Sequence, residues 1–266
     1  MSTIKLLTFI SLMGILVLFS CKENPPTPEP EPINLVLNFL HNVEMDTIKY
    51  TNVAGNPYSV SEIQYFISDV FLLKENGDKI ILDAWDDIHY VDTDILETSF
   101  YNLGDDIDPG TYAGLGFTFG INEEKNQSML FVNPPESFMF WPEYLGGGFH
   151  YLKLNGKWLD QNGDTKVYNF HLGIGQEYNE EGEITGFVQN YFELTFYRDI
   201  FTLEAGQTIK AELLMDVDKW FTSPHDFDFN VWGGDIMQNQ EAMKIGCENG
   251  QDVFSIYRLS VFNLDK

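Results

Sequence analysis

The residues of this chain best suited to chemistry are histidines on strand-like stretches, because imidazole is the commonest protein ligand for copper and zinc. The chain has 5 histidines. His41 ends Asn34–His41, whose alternation sets Leu35, Leu37, Phe39 and His41 on one face. His150 alternates with Leu152 and Leu154, and His171 closes Tyr168-Asn169-Phe170-His171. His89 and His225 fall in acidic stretches that read as exposed loops. For each of these residues the competing reading is a structural histidine satisfied by hydrogen bonds.

The stretch from Met139 to Gly175 concentrates such residues: His150, His171, Trp141, Trp158, a Gly146-Gly147-Gly148 hinge and a hairpin-like pair of strands. A two-residue turn at Asn162-Gly163 would pair Gln161 with Asp164 and set His171 across from Leu154. His150 and His171 would then share a face but stand roughly 13 Å apart, four residues at about 3.3 Å each. They could not share one ion. His171 therefore needs a partner from another strand, and His41 is preferred, with His150 and Trp141 ranked behind it. Asp160–Asp164 has the flavour of a calcium loop, yet its glycine falls at the wrong place for an EF-hand, so a polar turn is the better reading. Asp105-Asp106-Ile107-Asp108 is a similar turn. Cys247 reads as a small buried hydrophobe. No phosphate loop, nucleophile elbow, H-E-x-x-H or C-x-x-C occurs, and no enzymatic activity is expected.

The elements that must position these residues are mostly short strands. Alternation marks strands at Asn34–His41, Tyr58–Leu73, Gly110–Gly120, Tyr191–Tyr197, Thr208–Asp216 and Val253–Phe262. Asn76-Gly77 is a hairpin turn. Val217–Phe221 predicts a short helix, and Gln238–Asn249 a longer one with Gly250 as its left-handed cap. Many strands with few helices predict an all-β fold, an antiparallel β-sandwich with one or two short helices.

Composition bounds the rest. A 44% hydrophobic and 15% aromatic chain of 266 residues can bury a sizeable core. Its 41 Asp+Glu against 15 Lys+Arg give a formal charge of -26, which repels nucleic acid and makes cations the natural small partners. Lys5 followed by the apolar run Leu6–Phe19 is a secretory signal rather than a spanning helix. It ends Leu18-Phe19-Ser20-Cys21, which resembles the lipobox of bacterial lipoproteins. The expected organisation is a signal peptide over 1–20, a stalk over 21–32 that is lipidated at Cys21 and rich in Pro and Glu, and a single domain over 33–266. The expected location is the outer membrane, on its periplasmic side or at the cell surface. With Cys21 acylated, Cys247 has no disulfide partner.

The order of segments carries a resemblance. A strand ending in His41 is followed by Tyr65-Phe66-Ile67-Ser68-Asp69-Val70, Tyr90-Val91-Asp92 and Leu115-Gly116-Phe117-Thr118-Phe119-Gly120-Ile121. Then come Met139-Phe140-Trp141, Phe149-His150-Tyr151-Leu152-Lys153-Leu154-Asn155-Gly156, Phe170-His171-Leu172-Gly173 and Asp216-Val217-Asp218. The set resembles the MbnP-like family of periplasmic or lipid-anchored β proteins related to a methanobactin-associated copper-binding protein. The resemblance implies a copper site of histidine imidazoles and a tryptophan oxidised to kynurenine by a partner di-haem enzyme of the cytochrome peroxidase type. Carried onto this chain, it matches His41 and His171 to the ligands and Trp141 to the M-x-W motif. A different class of function competes with it: a surface recognition module that binds glycan or protein without a metal, through acidic loops bearing Trp85, Trp220 and Trp232.

Overall fold

Apolar alternation becomes strand in β1 (Asn34–His41), where Leu35, Leu37 and Phe39 are buried and the intervening Val36 and Leu40 are half-exposed. The computed structural model describes residues 31–82, 88–103 and 107–263, within a compact unit spanning Glu31–Lys266. The leader, Cys21 and most of the stalk lie outside the described residues, as do Trp85 and the Asp105-Asp106 pair. After β1 come β2 (Tyr50–Thr51), β3 (Pro57–Lys74), β4 (Lys79–Ile81), β5 (His89–Asp92), β6 (Phe100–Leu103) and β7 (Gly110–Phe119). The second half holds β8 (Leu152–Leu159), β9 (Thr165–Leu172), β10 (Gly175–Tyr178), β11 (Ile184–Val188), β12 (Phe192–Leu203) and β13 (Gln207–Met215). Two helices, α1 (Phe229–Trp232) and α2 (Gln240–Gly250), precede β14 (Phe254–Asn263).

These strands form an all-β sandwich. One sheet has the order β14-β13-β1-β6, and the larger has β12-β7-β3-β8-β9 with β2, β4 and β5 also on β3. Pairing is antiparallel except between β1 and β13. The spine is β3, which pairs with β8 along its first half and with β7 along its second. Phe66 marks the division: its carbonyl accepts from Gly120 N at 2.8 Å while its N–H donates to Tyr151 O at 3.1 Å.

Aromatic rings fill the space between the sheets. Phe39 on β1 meets Tyr65 on β3 edge-on at 6.0 Å and Phe117 on β7 at 6.1 Å. Phe254 on β14 meets Phe117 at 5.5 Å. Such pairs are each worth about 0.5–1.5 kcal/mol beyond the area they bury. Ile63, Tyr65, Leu152, Leu154, Phe170 and Leu172 face this core and are fully buried.

The opposite face of the large sheet is polar where β5, β3, β8 and β9 cross. Direct pairing places Asp92, Gln64, Lys153 and His171 in one row. The segment between β7 and β8 covers this face. Phe131 stacks on Phe66 at 5.4 Å, Lys153 Nζ donates to Phe138 O, and Asp69 holds Lys125 Nζ at 2.7 Å.

Candidate functional site

His150, His171 and Trp141 meet between the polar sheet face and the segment that covers it. The imidazole rings of His150 and His171 lie with centres 5.1 Å apart and planes at 85°. The indole of Trp141 sits 4.7 Å from the His150 ring, also edge to face. Trp141 is fully buried and His150 is 5% exposed.

A tight reversal brings Trp141 and His150 side by side. Gly146, Gly147 and Gly148 all take positive φ (121°, 69° and 75°), a succession that side chains with a Cβ rarely adopt. The turn closes with Trp141 N donating to Gly148 O at 2.8 Å and His150 N to Met139 O at 2.6 Å. Phe140 bridges Phe149 across it. Trp141 Nε1 donates to Leu145 O at 3.0 Å, and its ring lies against Gly173, where an added Cβ would come within 2.6 Å of the indole.

Hydrogen-bond partners fix the tautomer of each histidine. His150 Nδ1 is 2.8 Å from Met139 O, a carbonyl that can only accept, so Nδ1 carries the proton and Nε2 a lone pair. Asn155 Nδ2 donates to Glu62 Oε2 at 2.7 Å, which turns Asn155 Oδ1 toward His171 Nε2 at 2.8 Å. His171 therefore carries its proton on Nε2 and a lone pair on Nδ1. His150 Nε2 and His171 Nδ1 are both buried and have no hydrogen-bond partner. Such an atom costs about 1–3 kcal/mol when left unpaired. Two on touching rings are what a metal ion would satisfy, each ligand's far nitrogen being held by an outer partner.

Both rings are neutral near pH 7. Burial, with a smaller contribution from the Lys153 ammonium, pushes His171 down to about 3. Burial, then the neighbouring His171 and Lys153, holds His150 well below the usual imidazole range. The same burial depresses Lys153. Neutral imidazole is the ligating form.

Several expectations change. The β8–β9 loop runs from Asp160 to Asp164 rather than through a two-residue turn, so Leu159 pairs with Thr165 and His171 with Lys153, not Leu154. One residue of slip moves His171 to the other sheet face. The ladder also stops at Leu152, and upstream of it His150 is hydrogen-bonded into the glycine turn. The expected separation of roughly 13 Å for a continuous strand is replaced by ring contact. His41, the expected partner of His171, sits instead at the end of β1 with Nε2 3.3 Å from Tyr65 Oη. No hydrogen bond or ring contact among the described residues joins His41 to His171. His89 belongs to β5, stacked 4.3 Å from Tyr101 and bonded to Thr98 O at 2.7 Å, so it is not an exposed loop residue. His225 Nε2 is hydrogen-bonded to the Glu248 carboxylate near the surface. Trp220 is fully buried, which removes one of the three aromatic anchors of a recognition surface, and Trp232 is partly buried.

Asn155 and Glu62 were not apparent from residue type. The available signal is their position: polar residues at paired central places on β8 and β3, where a sheet face open to water has no need of an amide facing a carboxylate. A second acidic group, Glu62, Asp92 and Asp94, brings carboxylate oxygens within 4.8 Å of one another. Asp92 is satisfied there by Tyr90 Oη at 2.7 Å, Gln64 Nε2 at 3.0 Å and Asp94 N at 2.9 Å. The Asp160–Asp164 turn is closed in the same internal way, with Asp160 Oδ1 accepting from Asn162 N and Asp164 N at 2.9 Å each.

No curated protein shows significant sequence similarity to this chain. Among solved structures, MbnP from Methylosinus trichosporium is similar with a TM-score of 0.43 and 13% identity, over 67% of this chain and 75% of that one. The family model described as MbnP matches residues 32–242, well over half of the sequence, and the chain belongs to the MbnP family.

Proposed function

We propose that this protein is a lipid-anchored extracytoplasmic copper-binding protein that holds copper(I) through His150 Nε2 and His171 Nδ1. The observation that carries the reading is the pair of buried, unpartnered lone pairs on touching imidazoles whose opposite nitrogens are both anchored. Two neutral nitrogen donors suit copper(I), which accepts few ligands, better than calcium or magnesium, which require oxygen. Ring centres 5.1 Å apart fall within the span that two metal–nitrogen bonds of about 2 Å bridge. Bound copper would be held as cargo for storage, sensing or delivery, and the chain's own residues orient the imidazoles and exclude water. No catalytic role is assigned to them.

In the same reading Trp141 is the tryptophan to inspect for oxidation to kynurenine by a di-haem, cytochrome peroxidase-like partner, since it packs directly on a proposed ligand. Cys21 carries the lipid, tethering the domain to the outer membrane through a stalk rich in proline and glutamate.

Metal analysis of the full chain, purified from cells grown with copper, tests the reading. The expected result is close to one copper per chain, lost in His150→Ala and retained in His41→Ala. Copper content unaltered by His150→Ala would contradict the site. Cys21→Ser is expected to move the protein from the membrane fraction to the soluble one.

A further inference from the structure

His171 can present either ring nitrogen, and the group opposite decides which one carries the proton. For His150 that group is the backbone carbonyl of Met139, which no substitution removes. For His171 it is a side chain. Asn155 is displaced by two residue pairs from His171 along the β8–β9 ladder, the next position on the same sheet face, and its Oδ1 reaches Nε2 at 2.8 Å. A carboxamide turned the other way would offer N–H₂ to the ring and place the imidazole proton on Nδ1, removing the free lone pair. Glu62 prevents that turn. Its carboxylate can only accept, and it takes Asn155 Nδ2 at 2.7 Å.

The position of Glu62 has an identifiable local cause. Pairing of β3 with β8 shifts between Val60 and Glu62, leaving Ser61 as an extra residue. Val60 and Ile63 both face the core and are fully buried. The bulge thus restores alternation with Glu62 on the histidine face, directly across from Asn155. Without it, the residue opposite Asn155 would be Ser61, whose hydroxyl can donate as well as accept and so would not fix the amide.

We propose that Asn155, oriented by Glu62 at a β-bulge, is the positioning residue that sets His171 as an Nδ1 metal ligand. The inference rests on the copper reading for its function but not for its structural content, which concerns the metal-free protein. The test uses the full chain and two readouts: the His171 tautomer from long-range nitrogen–proton NMR without metal, and copper(I) affinity by competition with a chromophoric chelator. Wild type is expected to show the Nε2–H tautomer. Asn155→Leu is expected to populate the Nδ1–H form and to weaken copper(I) binding about 10- to 100-fold. Asn155→Asp keeps an acceptor oxygen and is expected to keep the Nε2–H form. Should Asn155→Leu fail to fold, Glu62→Ala serves instead, since it frees the amide and is expected to give a mixed tautomer. An unchanged tautomer in Asn155→Leu, or in Glu62→Ala where that variant serves, overturns the proposal. A wild-type Nε2–H tautomer without copper binding overturns the copper reading while the lock itself stands.

Discussion

At the scale of single residues, this site is defined by two atoms without partners. Met139 O already accepts from His150 N at 2.6 Å, so His150→Leu would leave no carbonyl orphaned while removing one unpaired buried nitrogen. The metal-free variant is expected to be more stable than wild type by about 1 kcal/mol, read from chemical denaturation, although it loses copper. A loss of stability would mean that water or protein already satisfies Nε2. His41 offers a separate check on protonation. Burial pushes it down to about 4 from an unperturbed value of 6.5, so the unfolded chain binds the extra proton between those limits. The stability from neutral His41 is complete above pH 6.5 and is lost as pH falls toward 4, with a slope of at most about 1.4 kcal/mol per pH unit. His41→Asn is expected to flatten that part of the profile in a pH series of urea midpoints; an unchanged slope would show His41 to be solvated. The burial of His150 was legible in its alternation with Leu152 and Leu154, whereas His89 read as exposed and packs against Tyr101. Which two touch was not, because contact depends on a five-residue loop in place of a two-residue turn and on a chain reversal that alternation does not encode.

At the scale of elements, strand alternation was readable where one face is buried, as in β1 and β13. It failed in strands of four or five residues, which are too short to show a period. β5 and β6 lie within or beside acidic stretches, and β10 and β11 form a separate two-stranded sheet with mostly exposed side chains. The helix at Gln240–Gly250 was expected, but Gly250 is its last residue rather than a left-handed cap; a Cβ there would meet Phe192 and Trp220 at 2.6 Å. The same logic of close approach governs the site. Gly173→Ala would push a methyl group into the Trp141 indole and is expected to cost about 1–3 kcal/mol, to alter near-ultraviolet dichroism from the tryptophan and to weaken copper binding. Wild-type stability and spectrum in that variant would show that the covering segment yields freely and does not hold Trp141 in place.

At the scale of the whole molecule, the sandwich was legible from strand count and spacing, whereas the site lies on the outer face of the large sheet, outside the inter-sheet core. Its location follows from topology: β3 carries β8 and β7 in succession, and the long connection between them returns across the polar row to close over His171. A formal charge of -26 surrounds this site with a field that favours cations, while the two proposed ligand nitrogens are buried. In the proposed site one copper ion is bound by His150 and His171 together. This is tested most directly by anaerobic copper(I) titration of the wild type, His150→Ala, His171→Ala and His41→Ala proteins against a chromophoric chelator. One tight equivalent is expected in wild type and His41→Ala, with its loss in each of the other two. Tight binding that survives both His150→Ala and His171→Ala, or that disappears with His41→Ala, would contradict the proposed site.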